Sequence, residues 1–94
     1  MLTTERLVHP GGYHTPWHSH HAGQLWRIAA GLLVIETPLG RSVVPAKHIG
    51  WIPPGQQHAA FSESAIEGCA VYLDPAHCEG LPEEATLFES DDFT

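Results

Sequence analysis

Proline and glycine interrupt this chain so often that no stretch of it sustains a long helical period. Eight prolines and nine glycines fall among 94 residues. Proline fixes φ and removes a backbone donor, and glycine frees the chain for tight reversals, so each tends to end a regular element. The segments left between them are short and rich in Val, Ile, Leu and aromatic residues. Many short apolar runs between turn signals describe an all-β domain, closed as a double-sheet sandwich or barrel. The length is that of one domain with a modest core.

In chain order, Glu5 to His9 reads as a strand with Leu7 buried, and Pro10-Gly11-Gly12 breaks it. Tyr13 to His20 reads as extended but irregular, because Pro16 interrupts it. Gln24 to Ala30 is a strand with Gln24, Trp26 and Ile28 on one face, and Gly31 permits a tight reversal after it. Further strands are expected at Leu32 to Thr37, Arg41 to Pro45, Ile49 to Ile52, His58 to Phe61 and Ala65 to Leu73. The barrel is therefore expected within residues 1–75. Residues 76–94 carry Glu79, Glu83, Glu84, Glu89, Asp91 and Asp92 and no Lys or Arg. They read as an acidic peripheral tail or a linker toward a further C-terminal segment. Pro82-Glu83-Glu84 suits the start of a short helix.

Two segments concentrate ligand-type side chains. In GYHTPWHSHHAGQL, His18 and His20 are two apart and would share a face in extended chain, with Gln24 at the same parity. In GWIPPGQQH, the turn Pro53-Pro54-Gly55 aims His58. Three imidazoles and an amide oxygen could hold a divalent ion (Zn, Ni, Cu, Fe or Mn), the amide being a poorer ligand than a carboxylate. The plain alternative is a polar pocket lined by histidines without metal. Trp26 and Ile28, on the face of Gln24, read either as core or as the wall of a small-molecule pocket.

The spacing Gly12-x5-His18-x-His20-x3-Gln24-x6-Gly31 resembles the first cupin motif, and Pro53-Pro54-Gly55-x2-His58 resembles the second. The resemblance covers roughly Leu7 to Pro75. Gln24 stands where the family commonly has glutamate. Lys47 stands where its second motif opens with glycine, and Ser62 where asparagine is frequent. HSHHAGQL, WIPPGQQH and AVYLDP together resemble the N-terminal cupin-like sensor half of AraC-type transcription regulators. The resemblance implies a double-stranded β-helix (jelly-roll) barrel with the histidines at its mouth. It also implies a small-molecule effector, homodimerisation, and DNA contact made by a segment outside these residues.

The bulk composition narrows the function. The net charge is −7, and the only cations are Arg6, Arg27, Arg41 and Lys47. Four scattered cations do not replace the counterions of a DNA backbone, so direct nucleic-acid binding by this segment is not expected. No apolar run approaches the roughly 20 residues needed to cross a bilayer, and no secretion signal opens the chain. A cytoplasmic location is the expectation, with Cys69 and Cys78 as reduced thiols and Cys69 in the core. Neither histidine segment, GYHTPWHSHHAGQL or GWIPPGQQH, contains Asp, Glu or Lys, so no catalytic residue is assigned. A sensor module is favoured over a stand-alone cupin metalloenzyme of dioxygenase, isomerase or decarboxylase type. A dimerisation domain with an unused site is the third reading.

Overall fold

The computed structural model describes residues 2–89. Its strands are β1 (Leu2–His9), β2 (Tyr13–His14), β3 (Gly23–Ala30), β4 (Leu32–Thr37), β5 (Gly40–Pro45), β6 (His48–Ile52), β7 (Ala59–Ser62), β8 (Ile66–Leu73) and β9 (Thr86–Glu89). One 3-10 turn spans Pro75–His77, and the described residues contain no α-helix. One sheet has the order β1-β8-β3-β6-β9 and the other β2-β7-β4-β5. All pairings are antiparallel. The expected all-β double-sheet barrel is what the chain forms.

The core lies between the two sheets and follows strand alternation. Gln24, Trp26 and Ile28 of β3 point inward, while Arg27 and Ala29 face out. Leu33 and Ile35 of β4, Val44 of β5, Ile52 of β6, Ala60 of β7, and Ile66 and Ala70 of β8 complete the packing with Leu7. Each large apolar side chain buried here is worth about 1.5–3 kcal/mol against exposure, before chain entropy is charged.

Glycine is required where backbones meet. Gly31 turns the chain from β3 in one sheet to β4 in the other at φ 86°. A Cβ there would lie 2.3 Å from the carbonyl oxygen of Ala65. The β3–β8 register shifts between Ile28 and Ala30. Opposite that irregularity, a Cβ on Gly68 would lie 2.3 Å from the Arg27 carbonyl oxygen. Lys47, at the position where the family motif has glycine, sits at φ 68°. The left-handed turn is kept although the residue differs.

Three expectations are corrected. Tyr13 to His20 is not one strand: β2 ends at His14, and an isolated bridge pairs His18 with His58. Pro16 lacks the donor a continuous ladder needs. Cys69 is half-buried rather than in the core, because it lies in register with Arg27 and Arg6 on the outward face. The segment after Pro75 is not wholly peripheral. Thr86–Glu89 hydrogen-bonds to β6 as an edge strand, with Trp51 opposite Thr86. The indole N–H of Trp51 also donates to the carbonyl oxygen of Pro82 at 2.7 Å, and Trp51 is fully buried. Pro82 is irregular and residues 83–84 are bends, so no helix starts there. Residues 90–94, part of the expected tail, lie outside the described residues.

Candidate metal centre

The loop carrying His18 and His20 is tied down by backbone bonds, which compensate for the missing strand. His18 and His58 exchange both N–H···O bonds at 2.9 Å, and Thr15 N–H donates to Ala60 O at 2.8 Å. Gly55 N–H donates to His20 O at 2.9 Å, joining the loop to the turn before His58. That turn closes with Gln56 N–H to Pro53 O at 3.2 Å. Gly55 takes its positive φ of 77°, the third-position glycine of a type II turn.

These contacts bring His18, His20 and His58 together, with candidate ligand atoms all within 4.8 Å of one another. Their ring centroids are 4.4 to 5.6 Å apart. A closed tetrahedral site with bonds of ~2.0–2.1 Å would set its donors roughly 3.4 Å apart, so small torsional adjustments complete the triangle.

Each imidazole is oriented by a backbone carbonyl. The Nδ1 atoms lie 2.7 Å from Pro16 O, 2.7 Å from Ala22 O and 2.8 Å from Gln56 O in His18, His20 and His58 respectively. A carbonyl only accepts, so each Nδ1 carries the proton and each neutral ring keeps its lone pair on Nε2. Carbonyl partners of this kind orient metal-ligating histidines. Burial lowers the His58 pKa, the bond to the Gln56 carbonyl opposes this, and the neighbouring His18 and His20 lower it further. The neutral, ligating form is thereby favoured.

Gln24 is buried beside the triad. Its Oε1 lies 3.1 Å from His20 Nε2, and its Nε2 donates to the Tyr72 hydroxyl at 3.0 Å. In this arrangement two lone pairs, on His20 Nε2 and Gln24 Oε1, face one another. A cation between them accepts both. The three imidazoles could therefore hold a metal ion, with the Gln24 amide oxygen beside them.

Of the two other expected site residues, Ile28 is only 1% exposed and packs in the core. Trp26 lies 5% exposed, edge-on to Tyr13 at 6.5 Å. Its indole N–H is buried without an acceptor among the described protein groups. A hollow of about 930 Å³ lies elsewhere, on the outer face of the first sheet beside Arg6, Arg27, Lys47 and Cys69. It contains none of the triad, so volume is a poorer guide to this site than donor chemistry. Tyr72 also joins the cluster, although it lies in neither histidine segment. Its signal was alternation in β8, where Ile66, Ala70 and Tyr72 share a parity and Tyr72 falls opposite Gln24.

Two antiparallel sheets closed around a histidine cluster define a cupin-type barrel. The chain belongs to the AraC-like ligand binding domain family, whose profile matches residues 7–93. Similar solved structures include a cupin-2 domain protein from Shewanella frigidimarina. It is 17% identical, with a TM-score of 0.67 over 74% of this chain and 68% of that one. A cupin 2 conserved barrel protein from Salinispora arenicola is 22% identical, with a TM-score of 0.63 over 80% and 77%. The oxalate decarboxylase of Lactobacillus farciminis, solved as a formate complex, is 17% identical with a TM-score of 0.65, over 98% of this chain but 28% of that one. No curated protein sequence matches the chain.

Proposed function

We propose that this domain is the ligand-sensing part of an AraC-type transcription regulator, which binds a small organic effector beside a divalent metal in the barrel. The observation that carries the reading is the convergence of three Nε2 lone pairs and a buried amide in a chain of the AraC-like ligand binding family. The metal would be held by His18, His20, His58 and Gln24. The buried indole N–H of Trp26 offers a donor to an effector's acceptor, and leaving such a donor unpaired costs about 1–3 kcal/mol. An effector shifts a regulator by binding one of its states better than the other. DNA contact would come from a segment outside these residues, with pairing of two copies through a sheet edge, in the cytoplasm.

The competing reading is a stand-alone metalloenzyme, which needs a general acid or base beside the metal. Tyr72 is the nearest candidate in the described cluster. Burial, and secondarily Glu5, raise its pKa, so it stays protonated, able to donate a proton but a poor base.

The test is thermal denaturation of the metal-loaded protein against a panel of small organic molecules. A true effector at 100 times its Kd stabilises the fold by about 2.7 kcal/mol, a rise of roughly 10 °C or more for a domain of this size. The sensor reading predicts that the stabilising compound is recovered unchanged. A compound consumed with turnover would transfer the site to the enzyme reading.

A further inference from the structure

We propose that the hollow on the outer face of the first sheet is a small-molecule site for an organic monocarboxylate, with Arg27 as its anchor. Arg27 faces out from β3 where Gln24, Trp26 and Ile28 face in. The site is therefore separate from the metal centre and does not depend on it.

The sheet is dented here by its own backbone. The β3–β8 register shifts between Ile28 and Ala30, and a bulge of this kind bends its strand and re-aims the side chains on it. Gly68 has no Cβ, which lets β8 come up against the backbone of Arg27. The hollow lies over this bend, among Arg6, Arg27, Ala29, Lys47 and Cys69. Its 930 Å³ is within the range of drug-sized ligand sites. The strand registers set one outward row across all five strands: Phe88, Ile49, Arg27, Cys69 and Arg6. The row runs from an apolar end, where Ile49 is buried, to two arginines separated by one small thiol. Their Cα atoms are two strand spacings, roughly 9.6 Å, apart.

Charge selects the ligand. Three of the chain's four cations line this hollow although the net charge is −7. The fourth, Arg41, pairs with Glu36 in the second sheet at 3.2 Å. Three acids line the hollow as well. Glu67 is matched to Arg6 at 3.6 Å, an exposed pair of small worth. Glu5 shares the parity of buried Leu7, and Glu89 pairs with His48, so both fall one residue off the outward row. Arg27 makes no ion pair or side-chain hydrogen bond among the described residues. An exposed arginine on a flat surface is an ordinary solvated charge. In a hollow, its planar fork can take both oxygens of a carboxylate while an apolar body lies along Ala29 and Cys69. One unmatched guanidinium answers a single negative charge, which selects a monocarboxylate over a phosphate dianion. The field of the remaining acids is screened beyond about 8 Å at physiological salt, whereas Arg27 acts at contact.

The test is a nuclear magnetic resonance titration of the whole chain, labelled with heavy nitrogen, with naphthoate as the anionic probe and naphthamide as its neutral isostere. It is run once after metal removal by a chelator and once with zinc, so that the fate of the metal site is read separately. Naphthoate should shift the Arg27 side-chain N–H and the amides of Ala29 and Cys69 saturably, with the same affinity in both runs. It should bind at least about tenfold more tightly than naphthamide, the factor that one charge-assisted hydrogen bond is worth. Arg27→Gln should weaken naphthoate at least about tenfold, and Arg41→Gln, outside the hollow, should leave it unchanged. The absence of a saturable shift, equal affinity for the two probes, or equal loss in the two variants would overturn the proposal. So would tighter binding of naphthyl phosphate than of naphthoate, an affinity that depends on zinc, or shifts confined to the loop of His18 and His20. Shifts of the Ala29 and Cys69 amides on raising the protein concentration alone would give this face to a second copy of the chain, and would equally overturn it.

Discussion

His18→Ala combined with His20→Ala yields a folded β-barrel that no longer takes up a stoichiometric divalent ion. The two changes remove two of three imidazole donors, His20 being the one that Gln24 faces, and leave His58 alone. Losing even an outer partner costs about 10–100-fold in metal affinity, and losing two direct donors costs more. These residues suit the test better than His58, which is 1% exposed. Truncating a fully buried side chain opens a cavity and confounds binding with stability. His18 and His20 are half-buried in a loop, whose backbone bonds at Thr15, His18 and His20 survive alanine. Elemental analysis after dialysis against a limiting metal decides the matter, with circular dichroism as the check on fold. Equal metal content in wild type and variant would remove the histidines from the site.

The second large effect is on stability. Gly31→Ala should cost about 2–5 kcal/mol, combining about 1–2 for a left-handed residue with about 1–3 for overpacking. Both terms apply because φ is 86° and the added Cβ would lie 2.3 Å from Ala65 O and 3.0 Å from Ile66 Cα. The obstacle is backbone, which cannot swing aside as a side chain can. A small domain is stable by only about 5–15 kcal/mol, so the midpoint of thermal unfolding should fall by at least about 10 °C. Gly12→Ala is the control. Gly12 also has positive φ, 73°, but nothing lies within 4 Å of its added Cβ, so only the conformational cost applies. Equal losses in the two variants would contradict the role of Gly31 as the corner between sheets.

The strands were legible because their alternation is regular and their ends are punctuated. Gln24, Trp26 and Ile28 could be assigned to one face from parity, and Gly31 to a reversal, without reference to any partner strand. His18 and His20 could be grouped for the same reason, although the regular strand invoked for them is absent. What assembles them is long-range: the bridge to His58 and the bond from Gly55 N–H to His20 O. Sequence spacing records such contacts only through the motif.

Other features were hidden for identifiable reasons. Composition made the segment after Pro75 look peripheral, since its six acids outnumber its four large apolar residues, Leu81, Leu87, Phe88 and Phe93. Its pairing with β6 depends on main-chain bonds and on one indole–carbonyl contact at Pro82, neither of which leaves a compositional trace. Lys47 looked like a departure from the family pattern, yet its backbone adopts the left-handed turn that glycine would favour. Trp51 borders the second motif but faces away from Gln24, in register with Leu25 and Thr86. Adjacency in sequence did not place it at the site.

The most direct test of the metal centre is anomalous diffraction from crystals of the native chain grown with zinc. The account predicts one strong peak about 2.0–2.1 Å from the Nε2 atoms of His18, His20 and His58, on the side facing Gln24 Oε1. A map with the three imidazoles well ordered and no peak among them, or with zinc bound elsewhere, would contradict it.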